Sequence, residues 1–128
     1  MLDNKNKHQF KDIYGYGHPY SLIHPYKQQA AKHIVETKPQ WVSHIIIFGS
    51  AVGTWHFYEK DLDVCIVGAD PQPIEERDYK YQSAMKQDGV KYDFLHFDDL
   101  SCLYEHQSDI NSVEHDILHE GVVVFEKN

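Results

Sequence analysis

The chain has 128 residues, 41% of them hydrophobic, which suffices for one ordinary core and is short for two. Twelve basic residues against twenty acidic ones give a formal charge of -8, an excess that repels a nucleic-acid backbone, so stable nucleic-acid binding by this chain alone is not expected. Cys65 and Cys102 cannot build a disulfide framework, Met1 to Lys11 is too polar for a signal peptide, and no apolar run approaches membrane-spanning length; a cytoplasmic protein with no membrane partner is expected.

Residues 1–24 are polar, rich in tyrosine and punctuated by Gly15, Gly17 and Pro19, which predicts an irregular arm ahead of a single domain over residues 25–128. Pro25 suits the first turn of a helix running to about Lys38, with Tyr26, Ala30, Ala31 and Ile34 on one face and Pro39 as its stop. The β-branched run His44 to Phe48 is too short for a helix and predicts a buried strand ended by Gly49. From Asp61 to Val67, Leu62, Val64 and Ile66 alternate with Asp61, Asp63 and Cys65, the period of a strand.

Pro71 and Pro73 precede a helical stripe of Ile74, Tyr81, Ala84 and Met85 that Gly89 can terminate. Val90 to Phe97 predicts a strand with one acid, Asp93, in mid-run. Asp98 is the expected cap of a short helix over Leu100 to Tyr104. A second helix is expected from about Ile110 to His119, with Ile110, Val113, Ile117 and Leu118 on one face, before Gly121 and a closing strand Val122 to Phe125. This order of elements gives an α+β fold.

Gly49-Ser50 and Asp61-Leu62-Asp63 carry the chemical signal. Two carboxylates two residues apart on a strand project from one face, where hard oxygen ligands can hold divalent cations beside a Gly-Ser turn suited to phosphate. Taken singly, each half has a plainer explanation, surface charge at a strand end for the acids and an ordinary turn for Gly-Ser. Asp93 shifts that balance: a lone acid in an apolar strand is costly to bury without a cation, which makes it the candidate third ligand. Phosphoryl and nucleotidyl transfer need a positioned nucleophile and neutralised phosphate charge, which two metal ions about 4 Å apart supply.

Two other clusters compete for attention. His115 and His119, four apart on an expected helix, face one way with His106 nearby, a zinc-like spacing that solvated helix histidines also produce. Trp55-His56-Phe57-Tyr58 forms an aromatic loop that either stacks on a base, meets a partner or packs over the sheet edge.

Phe48-Gly49-Ser50-Ala51, Asp61-Leu62-Asp63-Val64 and Tyr92-Asp93-Phe94 resemble the motifs of the DNA polymerase β-like nucleotidyltransferase superfamily, in its small minimal-nucleotidyltransferase branch. The resemblance runs from about Pro25 to Phe125 and includes the closing helix, Gly121 and final strand. It implies a nucleotidyltransferase fold, a mixed sheet of about four strands flanked by helices. It also implies that Gly49 and Ser50 engage a nucleoside triphosphate, that Asp61 and Asp63 bind two Mg²⁺, with Mn²⁺ as a substitute, and that Asp93 completes the acceptor-side metal. The reaction implied is transfer of a nucleoside monophosphate, AMP from ATP, to an acceptor hydroxyl.

Lys60, where members often carry serine, is a candidate phosphate contact or a solvent-facing side chain. Since 128 residues leave little room for a second substrate-binding domain, the acceptor is expected on a partner or shaped by an oligomer or the arm. The branch implies one such partner, a helical HEPN-family toxin in a two-gene toxin–antitoxin module. Members often have an arginine and a second glycine soon after Gly-Ser. Here Ala51-Val52-Gly53-Thr54 stands instead, which motivates the alternative of an inactive nucleotide-sensing or partner-binding module.

Overall fold

The computed structural model describes residues 23–52, 61–73, 75, 86–87 and 90–127. The fold is α+β: a mixed sheet carries helices on both faces. Helix α1 (Pro25–Thr37) is followed by strand β1 (His44–Phe48), a 3-10 turn (Gly49–Ala51) and strand β2 (Asp61–Val67). Then come β3 (Lys86–Gln87), β4 (Val90–Phe97), the short helix α2 (Leu100–Tyr104), helix α3 (Val113–Glu120) and β5 (Val122–Glu126). The four long strands match the expected sheet, and the two-residue β3 adds a fifth at its edge.

The strand order is β3-β4-β2-β1-β5. β1 runs antiparallel to both β2 and β5, β2 runs parallel to β4, and β3 is antiparallel to β4. Two-residue alternation sorts the apolar side chains onto two faces. Leu62, Val64 and Ile66 join Ile45 and Ile47 against Ala30, Ala31 and Ile34 of α1. Cys65 and Val67 join Ile46, Phe48 and Val123 against Leu103 of α2 and Ile117 and Leu118 of α3. The acidic face of β2 is therefore apolar core from Cys65 onward.

Local chemistry sets the helix ends. α1 begins at Pro25, with His24 Nδ1 accepting from the Tyr26 amide at 3.2 Å, and stops at Thr37 because Lys38, which precedes Pro39, is extended. Its buried stripe is Lys27, Ala30, Ala31 and Ile34; Tyr26, expected on that face, is 78% exposed. α2 is capped by Asp99 rather than Asp98, because the Asp99 carboxylate accepts the Ser101 amide at 2.7 Å. α3 starts three residues later than expected, at Val113, where the Ser112 hydroxyl accepts from the His115 amide at 3.1 Å. Ile110 consequently lies outside it and is 73% exposed.

The helix expected between Pro73 and Gly89 falls outside the described residues except at Glu75, which is helical, while Lys86–Gln87 form β3. Residues 1–22 of the expected arm also fall outside them. Ile23 and His24 are buried, and the His24 amide donates to the Ala51 carbonyl at 2.8 Å. Among the described residues, no helix is long and apolar enough to cross a membrane.

Candidate functional site

At Gly49 the backbone leaves β1 with φ of +71°, a left-handed conformation that glycine adopts without a side-chain penalty, and the Val52 amide closes the turn on the Gly49 carbonyl at 3.1 Å. The last paired position of β1 is Phe48 opposite Asp63. The turn therefore sits directly beside the second acid of β2. A Cβ at Gly49 would run into the Asp63 carboxylate, so the missing side chain is the space that carboxylate uses.

Asp61 and Asp63 are half-buried and, two apart on β2, share the sheet face carrying Cys65 and Val67. The parallel ladder to β4 sets Asp63 opposite Asp93 and Asp61 opposite Lys91. Opposed residues of neighbouring strands present their side chains to the same face, so all three acids lie on one face, where β2 begins and β1 ends. Asp93 itself is exposed. The argument from the cost of burying it therefore does not hold; what the structure gives is its register opposite Asp63.

Among the described residues, no three His, Cys, Asp or Glu side chains are already gathered closely enough to hold a metal ion. The backbone fixes the acids' face and register, and the donor set is the hard carboxylate oxygen that Mg²⁺ and Mn²⁺ take. Asp61, Asp63 and Asp93 thus share one face and one donor chemistry, with the Asp63 carboxylate seated against Gly49. Of the nucleotide-binding candidates, Gly49 is in the turn, Ser50 follows it in the backbone of that turn, and Lys60 lies outside the described residues. Trp55 to Tyr58 lie outside them too.

Among the described residues, His106, His115 and His119 are not gathered as a zinc site. The His115 and His119 rings stack at 3.9 Å between centroids, and their Nδ1 atoms are engaged by the carbonyls of Gln107 at 2.8 Å and His115 at 2.9 Å. His106 instead lies 3.9 Å from Glu114.

One residue beside the site escaped the sequence reading. Lys27 is only 3% exposed, and its ammonium donates to the Asp61 carbonyl at 2.7 Å. The signal was present in the 27, 30, 31, 34 series, a helical stripe with a lysine in an apolar position.

A family model described as a nucleotidyltransferase domain matches residues 29–124. Comparisons with curated proteins and with solved structures gave no match.

Proposed function

Because the chain belongs to the nucleotidyltransferase domain family, we propose that it is a metal-dependent enzyme transferring AMP from ATP to an acceptor hydroxyl. The observation that carries the reading is the register of Asp63 with Asp93 beside the Gly49 turn, which collects three acids on one face at one end of the sheet. The acceptor oxygen bonds to the α-phosphorus, the bond from that phosphorus to the β-phosphate bridging oxygen breaks, and pyrophosphate leaves with the electron pair. Asp93, exposed and so open to an incoming acceptor, takes the hydroxyl proton. Asp61 and Asp63 would hold two Mg²⁺, with Asp93 completing the acceptor-side ion; such ions neutralise charge on the phosphate oxygens. Gly49 and Ser50, in the turn beside Asp63, would engage the triphosphate.

For the acceptor, the minimal-nucleotidyltransferase resemblance supports a hydroxyl on a helical HEPN-family toxin encoded beside this chain. The test is incubation of the protein with α-labelled ATP and Mg²⁺, with and without that partner. Label should move to the partner, and Asp63→Ala should abolish the transfer. Undiminished transfer by Asp63→Ala would sink the assignment.

One observation favours a second reading, a nucleotide-sensing module without turnover. Where family members often present an arginine soon after Gly-Ser, Ala51 and Val52 are buried in the core and offer phosphate nothing. Calorimetry with ATP and Mg²⁺ separates the two: heat of binding with no pyrophosphate release selects the sensor, and rapid release removes it.

A further inference from the structure

Burying a lysine is expensive, because its ammonium exchanges full hydration for whatever acceptors the interior provides. Lys27 occupies a core position of α1, in the stripe otherwise filled by Ala30, Ala31 and Ile34. An alanine or leucine there would complete the apolar face. Instead the side chain reaches across 34 residues of sequence to the Asp61 carbonyl, its one hydrogen bond among the described residues.

The acceptor it reaches is informative. β1 pairs with β2 only as far as Phe48 opposite Asp63, after which the chain turns away at Gly49, so Asp61 has no opposite residue on β1. Among the described residues, the first residue of β2, which carries the first carboxylate, has no ladder partner on that side. Lys27 supplies the missing donor. It also sets a positive charge on the residue that begins a cluster of three acids. The same end of α1 also holds the Gly-Ser turn, since the His24 amide donates to the carbonyl of Ala51, the last residue of that turn. Four residues of chain, His24 to Lys27, thus grip both the turn and the acidic strand.

We propose that Lys27 is a positioning residue: it fixes the start of β2 so that the Asp61 carboxylate stands in register with Asp63 and Asp93 for a shared divalent cation. The inference rests on the reading of the three acids as a metal and nucleotide site. A buried lysine that merely stabilised the fold would affect melting and leave cation affinity alone.

The experiment measures Mn²⁺ binding to the full chain, without nucleotide, by loss of the free-ion electron paramagnetic resonance signal. Wild type, Lys27→Met and Lys27→Arg are compared, with circular dichroism as the check on folding. Lys27→Met, which keeps the stem and loses the donor, should bind Mn²⁺ at least tenfold more weakly at unchanged helix content. Lys27→Arg, which keeps charge and donors, should stay within about threefold of wild type. If Lys27→Met does not fold, Lys27→Gln replaces it under the same criterion, its amide being too short to reach the carbonyl. Wild-type affinity in the donor-less variant, or equal loss in Lys27→Arg, overturns the positioning role while the metal site stands. No Mn²⁺ binding by the wild type overturns both.

Discussion

Gly49 and Asp63 share a space that only one side chain can fill: any Cβ on Gly49 would collide with the Asp63 carboxylate. Gly49→Ala should therefore push that carboxylate out of the site, and the left-handed backbone adds a strain of about 1–2 kcal/mol. Nucleotidyl transfer is expected to fall at least a hundredfold while the far-ultraviolet circular dichroism of the fold persists. A steady-state assay beside a urea melt separates the two effects.

Binding of a cation to the native face and not to the unfolded chain raises stability by linkage. Millimolar Mg²⁺ or Mn²⁺ with ATP should raise the melting temperature of the wild type, by an amount equivalent to about 2.7 kcal/mol at one hundred times the dissociation constant. Asp63→Ala should melt at the same temperature with and without metal. Differential scanning calorimetry at fixed pH reads both.

Tyr92 and Ala30 join β4 to α1, the phenol hydroxyl donating to the helix carbonyl at 2.9 Å in the buried core. Tyr92→Phe removes that bond and little else, so urea unfolding should show a loss of about 1 kcal/mol. Transfer activity should be unchanged, because the hydroxyl lies on the face opposite the three acids.

The two thiols differ in what surrounds them. Burial pushes the Cys65 thiol far above its ordinary range, whereas Cys102 is half-buried, with its sulfur 4.0 Å from an Asp99 carboxylate oxygen. The thiolate is the reactive form. A thiol-specific reagent at neutral pH should modify Cys102 in the native protein and Cys65 only on unfolding, as peptide mapping would show.

Asp99 ties the start of α2 to acidity. Hydrogen bonds from the Ser101 hydroxyl and amide hold its carboxyl below the usual range. A depressed native value contributes stability above the ordinary carboxylate range and loses it as pH falls through the native value. Asp99→Ala should melt below the wild type at neutral pH, and the gap should narrow as pH drops below the ordinary carboxylate range. Parallel melts across that range give the curve.

The strands were legible because their signal is local: β-branched runs and two-residue alternation gave His44–Phe48, Asp61–Val67 and Val90–Phe97 to the residue. Helix starts were less so. Asp98 and Asp99 offer the same cap, and only the backbone conformation at Asp99 decides between them. Ile110 fits the stripe of α3 by spacing, but Ser112 starts that helix after it. At the site, the motif residues were readable, while the reason for Asp93 was not. An apolar context suggested burial, and the parallel pairing of β4 with β2, a long-range property, makes it an exposed neighbour of Asp63. Lys27 was hidden for the same reason, since a charged residue in a stripe means nothing until its acceptor, 34 residues away, is known.

The position of β2 in the sheet has a dynamic consequence. It is the middle strand of five, with ladder bonds to β1 on one side and β4 on the other, and its Cys65 to Val67 end is core on both faces. Amide hydrogens between Asp63 and Val67, where both neighbours are paired, exchange with solvent only when the whole sheet opens, at a free energy near that of global unfolding. Asp61 and Asp63 stand at the end of a stiff rod, and a substrate that needs them elsewhere has to move itself.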